Sequence, residues 1–129
     1  MHELSIIYSV IDAAENEVRQ RADKMAIETI ELEIGELAGV EIGSLEFLWP
    51  AAVERTVLET AECKITRVPG RAACTTCGHA FAVQQYFDPC PQCGSHWNQI
   101  TSGEELRIKS LTLVERTTGL QVRQSVLAG

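Results

Sequence analysis

Apolar residues near the start of the chain recur three or four positions apart, with polar residues between them. The apolar positions are Leu4, Ile7, Ile11, Ala14 and Val18. This spacing places them on one face of an α-helix, because successive helical residues are about 100° apart. The pattern therefore predicts a first helix from about residue 4 to residue 22.

Three later segments alternate between apolar and polar positions, which is typical of half-buried strands. They are residues 25–34, 62–68 and 105–115. The alternation of the third segment shifts phase near Ser110, which a β-bulge would explain. The pattern predicts three strands of one sheet.

A second helical pattern extends from Ile42 to Thr56, between the first two predicted strands. Ser44 is a candidate N-cap, and Phe47 and Trp49 are predicted to lie in the core. Pro50 falls inside the pattern. Its missing amide either kinks the helix or marks a regular helix that begins only near Trp49.

Four cysteines form two Cys-x-x-Cys pairs, Cys74/Cys77 and Cys90/Cys93, each followed by glycine. Two thiolates on a tight turn bind one edge of a tetrahedral ion, and a second turn supplies the opposite edge. The spacing therefore predicts a closed structural zinc site without an open position for catalysis. Rubredoxin-like iron and two disulfides are the alternatives, although nothing in the sequence indicates export.

The zinc segment leaves the sheet after the second strand and returns at the third. The predicted fold class is therefore α+β (an α/β two-layer fold), with two helices, a three-stranded sheet and a small inserted four-cysteine zinc domain. The predicted domains are 1–70 with 105–116, the insertion 71–104, and a tail 117–129 that frays or adds a short edge element. An insertion of this size needs its metal to fold.

Several residues of the insertion and its surroundings are secondary candidates. Phe81, Val83, Tyr86 and Phe87 are expected to form a small apolar cluster beside the metal. His79 and His96 follow the two cysteine turns, where they lie beside the site or in solvent, or replace a thiolate. Cys63 shares a strand face with an isoleucine and is predicted to be a small core residue rather than a ligand.

Composition narrows the classes of function. The 129 residues are 45% hydrophobic, and no apolar run approaches the length of a membrane span. Lysine and arginine total 11 against 18 acidic residues, and a net charge of −7 disfavours binding to nucleic acid. A zinc hydrolase is disfavoured because the sequence lacks a nucleophile–base motif. A zinc-ribbon module that binds protein or nucleic acid, with no second metal, is one function that the sequence leaves open.

The first three residues, Met1, His2 and Glu3, form a candidate chelate. A large second residue normally preserves the initiator methionine, so the free amine belongs to Met1. This amine, the His2 amide and the His2 imidazole can form fused rings around Ni²⁺ or Cu²⁺, with the Glu3 carboxylate or a backbone nitrogen as a fourth ligand. The alternative is a frayed terminus that binds no metal.

Several motifs in order resemble one family, HypA/HybF, over residues 1 to about 116. They are Met-His-Glu-Leu-Ser at 1–5, Gly-Glu-Leu-Ala-Gly-Val-Glu at 35–41, Thr-x-x-Glu at 56–59, Val-Pro-Gly at 68–70, Cys-Pro-Gln-Cys-Gly-Ser at 90–95 and Gly-Glu-Glu-Leu-Arg-Ile-Lys-Ser-Leu at 103–111. Members of this family are nickel chaperones for [NiFe]-hydrogenase maturation. The tail from about residue 117 is not covered.

The resemblance implies a cytoplasmic metallochaperone that delivers transient Ni²⁺ and is not an enzyme. It places nickel on Met1, His2 and Glu3. It places structural zinc on Cys74, Cys77, Cys90 and Cys93. The implied partners are a nickel-delivering maturation GTPase and the [NiFe]-hydrogenase large-subunit precursor, with no nucleic acid and no membrane. The oligomeric state stays open, with a homodimer among the options.

Overall fold

The computed structural model of this chain describes residues 2–21, 25–115 and 123–126. The helices and strands within these ranges are α1 (Glu3–Arg19), β1 (Met25–Gly35), α2 (Ile42–Ala52), β2 (Glu62–Val68), β3 (Arg71–Cys74), β4 (Ala80–Ala82), β5 (Asn98–Ser102), β6 (Leu106–Glu115) and β7 (Arg123–Val126). No helix among the described residues is long and apolar enough to span a membrane.

The strands form two sheets. One has the order β2-β1-β6-β7, and the other is a small sheet with β3 between β4 and β5. The predicted α+β class with two helices is confirmed. The larger sheet contains the three predicted strands and a fourth, β7, which pairs antiparallel with β6 from Leu111↔Val126 to Val114↔Arg123. The predicted tail therefore supplies an edge strand, and its other residues lie outside the described ranges.

The first helix, α1, buries the apolar face that the sequence pattern predicts. α1 ends at Arg19, and its buried residues are Ile6, Ile7, Val10, Ile11 and Ala14. The buried face is therefore centred on the predicted stripe, and α1 contacts α2. Leu4, at the outer end of the stripe, remains 37% exposed.

The second helix departs from the prediction at both ends. Glu41, rather than Ser44, is the N-cap, and its side chain accepts a hydrogen bond from the amide of Gly43 at 3.1 Å. The helix ends at Ala52 rather than at Thr56. The helix passes through Pro50 without ending there, and Arg55 has φ 63°, a left-handed conformation that a right-handed helix cannot contain, so the helix cannot extend to Thr56.

Phe47 corrects the predicted core of α2. Leu45 and Trp49 are buried, four residues apart on one face of the helix. Phe47 lies between them in sequence, which turns it to the opposite side, and its side chain is 84% exposed. The prediction that Phe47 is a core residue is wrong, whereas the one for Trp49 is confirmed.

The chain divides into two compact units. The helical unit comprises the described residues of Met1–Leu32, Val40–Ile65 and Arg107–Gly129. The cysteine unit comprises Glu33–Gly39 and Thr66–Leu106. The loop after the first predicted strand thus belongs to the unit that holds the cysteines. Whether residues 71–104 fold as a domain of their own stays a prediction.

Backbone segments of the cysteine unit approach each other closely at three glycines, Gly35, Gly70 and Gly103. Gly35 donates its amide to the carbonyl of Glu105 at 2.7 Å, and the Gly103 carbonyl accepts the amide of Leu37 at 2.8 Å. A Cβ atom on Gly35 would overlap the Gly103 carbonyl, and one on Gly103 would lie 2.6 Å from the Cα atom of Gly70. Any side chain at these positions would force the backbone segments apart.

Replacing Gly35 with alanine is expected to lower the free energy of unfolding by about 3 kcal/mol, because the new methyl group meets backbone atoms that cannot rotate away. Chemical denaturation of the metal-loaded protein measures this change. Gly43→Ala is the matched control, since the nearest atom there is the flexible Glu41 carboxylate at 3.2 Å. Equal stabilities for the two variants would contradict the prediction.

Candidate metal centres

The four predicted zinc ligands lie together in the structure. The sulfur atoms of Cys74, Cys77, Cys90 and Cys93 all lie within 4.8 Å of one another. Cys74 Sγ is 3.6 Å from Cys93 Sγ, and Cys77 Sγ is 3.7 Å from Cys90 Sγ. Sulfur atoms bound at about 2.3 Å to a tetrahedral zinc ion are separated by about 3.8 Å. The donor set therefore fits Zn²⁺, and the separations are far longer than a disulfide bond.

Two similar turns present these sulfurs. The first follows β3, where Gly78 has φ 80° and its amide donates to the Cys74 carbonyl at 2.9 Å. In the second, Gly94 has φ 76° and its amide donates to the Cys90 carbonyl at 2.8 Å. A positive φ favours glycine strongly, which explains why each Cys-x-x-Cys pair is followed by one.

Backbone amides stabilise the first thiolate. The amides of Thr76 and Cys77 each donate to Cys74 Sγ at 3.4 Å. The Cys77 amide makes the larger contribution, and the pKa of Cys74 falls to about 6. At Cys93 the Ser95 amide lowers the pKa, but desolvation and the neighbouring sulfurs outweigh it and raise the value to about 12. Four ionised thiolates therefore need a cation among them.

A small apolar core supports the cluster. Cys74 and Cys90 are buried, whereas Cys77 and Cys93 are exposed. The buried apolar neighbours in the same cluster are Leu37, Ala72, Phe81 and Val83, with Ile100 packed against them. The predicted places of Phe81 and Val83 are thus correct. Tyr86 and Phe87 are 56% and 70% exposed, so their prediction as members of an apolar cluster is wrong.

The candidate nickel site lies at the start of α1. His2 is the exposed N-cap residue, with extended backbone at φ −78° and ψ 134°. Its carbonyl accepts the amides of Ser5 at 3.1 Å and Ile6 at 3.3 Å, and its imidazole makes no capping hydrogen bond. The backbone of His2 is thus held by the helix while its side chain stays in solvent. Met1 lies outside the described residues.

Glu41 is a neighbour of this site that sequence reasoning missed. The amide of Glu41 donates to Oε2 of Glu3 at 3.3 Å, so the Glu3 carboxylate connects the start of α1 with the segment that caps α2. The two residues are far apart in sequence, and no periodic pattern relates them. Glu41 does end the Gly-Glu-Leu-Ala-Gly-Val-Glu motif, which was the available signal.

Comparison with known proteins decides the family. A family model described as "Hydrogenase/urease nickel incorporation, metallochaperone, hypA" matches residues 1–113. The chain belongs to the HypA family. It is therefore a metallochaperone and hydrogenase maturation factor, and not an enzyme. The resemblance seen in the sequence motifs is confirmed, and the zinc-ribbon alternative is not favoured.

Relatives and solved structures agree with the HypA assignment. The hydrogenase maturation factor HypA of Geobacter metallireducens is 46% identical over 111 residues, which cover 86% of this chain and 97% of that protein. HypA of Prosthecochloris aestuarii is 46% identical over 114 residues, 88% of this chain and 99% of the relative. The solution structure of the Ni metallochaperone HypA from Helicobacter pylori matches with a TM-score of 0.61 at 26% identity, over 86% of this chain and 96% of that one.

Neither candidate histidine of this HypA-family chain belongs to the four-sulfur group. The His79 ring stacks on Phe81 with centroids 6.1 Å apart and planes at 9°. His96 is exposed, and its Nδ1 lies 3.3 Å from the Phe87 carbonyl. Both rings therefore lie beside the cysteine turns.

Cys63, the fifth cysteine, lies on β2 and is half-buried. Burial, followed by the negative charge of Glu46, raises the pKa of its thiol to about 11 from an ordinary value of 9.0. Because only the thiolate is nucleophilic, the shift lowers its reactive fraction at pH 8 by about a hundredfold.

Alkylation of Cys63 by iodoacetamide at pH 8 is therefore expected to be about a hundredfold slower in the folded, metal-loaded protein than in the denatured chain. Mass spectrometry of timed samples measures the rate. Glu46→Gln removes one charge that raises the pKa, so it should accelerate the reaction. A folded-state rate equal to that of the denatured chain would contradict the assignment.

Proposed function

We propose that this chain binds one Ni²⁺ through Met1, His2 and Glu3 and transfers it to the [NiFe]-hydrogenase large-subunit precursor. A nickel-handling maturation GTPase assists the transfer. In the same proposal, one structural Zn²⁺ is bound by Cys74, Cys77, Cys90 and Cys93. The observation that carries the proposal is the exposed imidazole of His2 on a fixed helical cap, in a chain that matches the HypA model from residue 1.

The donor types support a division of labour between the two sites. Planar nitrogen ligands suit Ni²⁺, whereas four thiolates suit Zn²⁺. The Glu3 carboxylate accepts the Glu41 amide, and we assign it to positioning the terminus. The Glu3 amide is in the first turn of α1, where an amide has no acceptor within the helix. It is therefore available as the fourth nitrogen.

Exposure supports transfer from the terminus rather than from the cysteines. The His2 side chain is in solvent, so an incoming ligand can approach a bound ion and replace the protein ligands one at a time. Two of the four sulfurs are buried, and a closed four-coordinate shell offers an incoming ligand no free position. When bound, zinc would cross-link the cysteine unit. Residues 71–104 are too few to form an apolar core large enough to take the place of this cross-link.

The proposal also includes the compartment in which the chain acts, its division into domains and its oligomeric state. We place the transfer in the cytoplasm, a reducing compartment in which thiols remain available to zinc. The proposed domains are 1–70 with 105–116 for nickel and 71–104 for zinc, with 117–129 as a tail. The homodimer is kept as a hypothesis that sedimentation of the zinc-loaded protein tests.

A transfer experiment tests the proposal. The chain with an unmodified Met1 is loaded with one nickel ion, mixed with nickel-free large-subunit precursor, and examined by native mass spectrometry. Nickel is expected to move to the precursor while zinc remains. The rate of nickel transfer should exceed that in a control mixture in which free Ni²⁺ at the same concentration is added to the precursor and the His2→Gln protein, which also keeps Met1. Equal rates in these two mixtures would refute a chaperone role.

A further inference from the structure

The cysteine unit presents three large aromatic side chains to solvent. Tyr86 is 56% exposed, Phe87 is 70% exposed and Trp97 is 78% exposed. Single exposed apolar residues are ordinary, but aromatic residues grouped on a small unit are typical of protein-binding surfaces. We name these three residues the aromatic face.

Hydrogen bonds hold the two chain segments that carry the aromatic face side by side. The segment of Tyr86 and Phe87 lies alongside the segment of Trp97, because His96 Nδ1 is 3.3 Å from the Phe87 carbonyl. The Asn98 side-chain amide donates to the Asp88 carbonyl at 3.1 Å. The two segments are thus joined on both sides of Trp97.

Each segment is also fixed internally. Asp88 Oδ2 accepts the amides of Gln84 at 2.8 Å and Gln85 at 3.2 Å, which closes a loop with the two aromatic residues at its tip. The Trp97 carbonyl accepts the amide of Thr75 at 2.9 Å and its hydroxyl at 2.6 Å. Because the backbone is already ordered, a partner would pay little conformational entropy to bind here.

The surroundings of the aromatic face are acidic. Tyr86 donates its hydroxyl to Oε2 of Glu104 at 3.1 Å, and Asp88 directly follows Phe87. The basic residues of the cysteine unit are Arg67 and Arg71. Its acidic residues are Glu33, Glu36, Asp88, Glu104 and Glu105. The net charge is negative and repels phosphate groups.

We propose that the aromatic face binds a segment of a partner protein in which apolar side chains alternate with lysine or arginine. Apolar side chains of the partner would cover the three rings. Its cations would contact Asp88 and Glu104 and stack on the exposed rings, where cation–π attraction favours arginine. A second copy of this chain would bring like charges together, and nucleic acid or anionic lipid would be repelled. The proposal does not depend on nickel binding.

A selection experiment tests this surface with the full, zinc-loaded chain. A phage-displayed library of random 16-residue peptides is selected against the wild-type protein, and the enriched peptides are synthesised. They are expected to contain apolar residues flanked by lysine or arginine. Trp97→Ala and Phe87→Ala should each weaken their binding about tenfold or more. Glu104→Gln keeps the acceptor for Tyr86 without the charge, and should weaken binding about threefold.

Phe47→Ala is the matched control, because Phe47 is as exposed as the aromatic face but lies on α2 in the helical unit. It should leave peptide binding unchanged, and native mass spectrometry verifies that every variant retains zinc. Enriched peptides that are acidic, or that bind Trp97→Ala as tightly as the wild type, would overturn the proposal. Tight binding of a single-stranded RNA oligonucleotide, or dimerisation lost in Trp97→Ala, would also overturn it.

Discussion

Replacing His2 with glutamine, a residue large enough to preserve Met1, is expected to weaken nickel binding by about a hundredfold or more while one zinc ion per chain is retained. The change removes the only imidazole of the proposed chelate and leaves the backbone of the α1 cap intact, because the His2 side chain makes no capping hydrogen bond. Titration with Ni²⁺ under native mass spectrometry measures both ions in one spectrum. The protein must carry its own Met1 without a tag.

His96→Ala is the matched control for this experiment, since His96 is a second exposed histidine that lies beside the cysteine turns. It should bind nickel like the wild type. Glu3→Gln preserves an acceptor for the Glu41 amide and should also retain nickel, whereas Glu3→Ala loses that contact and should bind less tightly. Undiminished nickel affinity in His2→Gln would show that the terminus is not the nickel site.

Replacing Cys90 with serine is expected to release zinc and unfold the cysteine unit. Cys90 is 1% exposed, and its sulfur lies 3.7 Å from that of Cys77, so the variant removes a proposed zinc ligand from the interior of the four-sulfur group. Zinc binding by small cysteine sites contributes roughly 10 kcal/mol or more to their folding, which exceeds the stability of a unit with so few buried apolar residues. Amide signals of Thr66–Leu106 in NMR spectra report the loss.

Cys63→Ser is the matched control, because Cys63 is the one cysteine outside the four-sulfur group. This variant should keep one zinc ion and the spectrum of the wild type. Chelation of zinc from the wild-type protein should reproduce the effect of Cys90→Ser. A cysteine unit that keeps its dispersed amide signals after chelation would contradict a structural role for the metal.

Local patterns in the sequence predicted much of the fold, because they arise from local geometry. The stripe of α1 and the alternation of β1, β2 and β6 follow from the fixed directions of successive side chains. The four-sulfur group was predictable for a similar reason. Each Cys-x-x-Cys turn positions its own two sulfurs, and the sequence has only two such turns to combine.

The predictions that were wrong or missing concern features that depend on tertiary structure. Whether Phe47 is buried depends on which face of a largely apolar helix is covered, and a pattern with few polar residues does not decide this. Tyr86 and Phe87 were predicted from residue type alone to join the apolar cluster beside the metal, yet they are exposed at the tip of a hydrogen-bonded loop. The contact between Glu3 and Glu41 depends on tertiary structure, to which neither periodicity nor spacing refers.

The strand β7 changes which backbone groups the larger sheet exposes to strands of other molecules. β6 is a ten-residue strand, and as an edge it would offer a long row of unpaired amides and carbonyls to any neighbouring strand. β7, whose residues lie beyond the family match that ends at 113, pairs with the part of this row from Leu111 to Val114. The opposite edge, β2, carries the exposed charges of Lys64 and Arg67, which oppose strand addition. Both edges of the sheet therefore disfavour the addition of a strand from another molecule, β7 because it is only four residues long and β2 because of its charges.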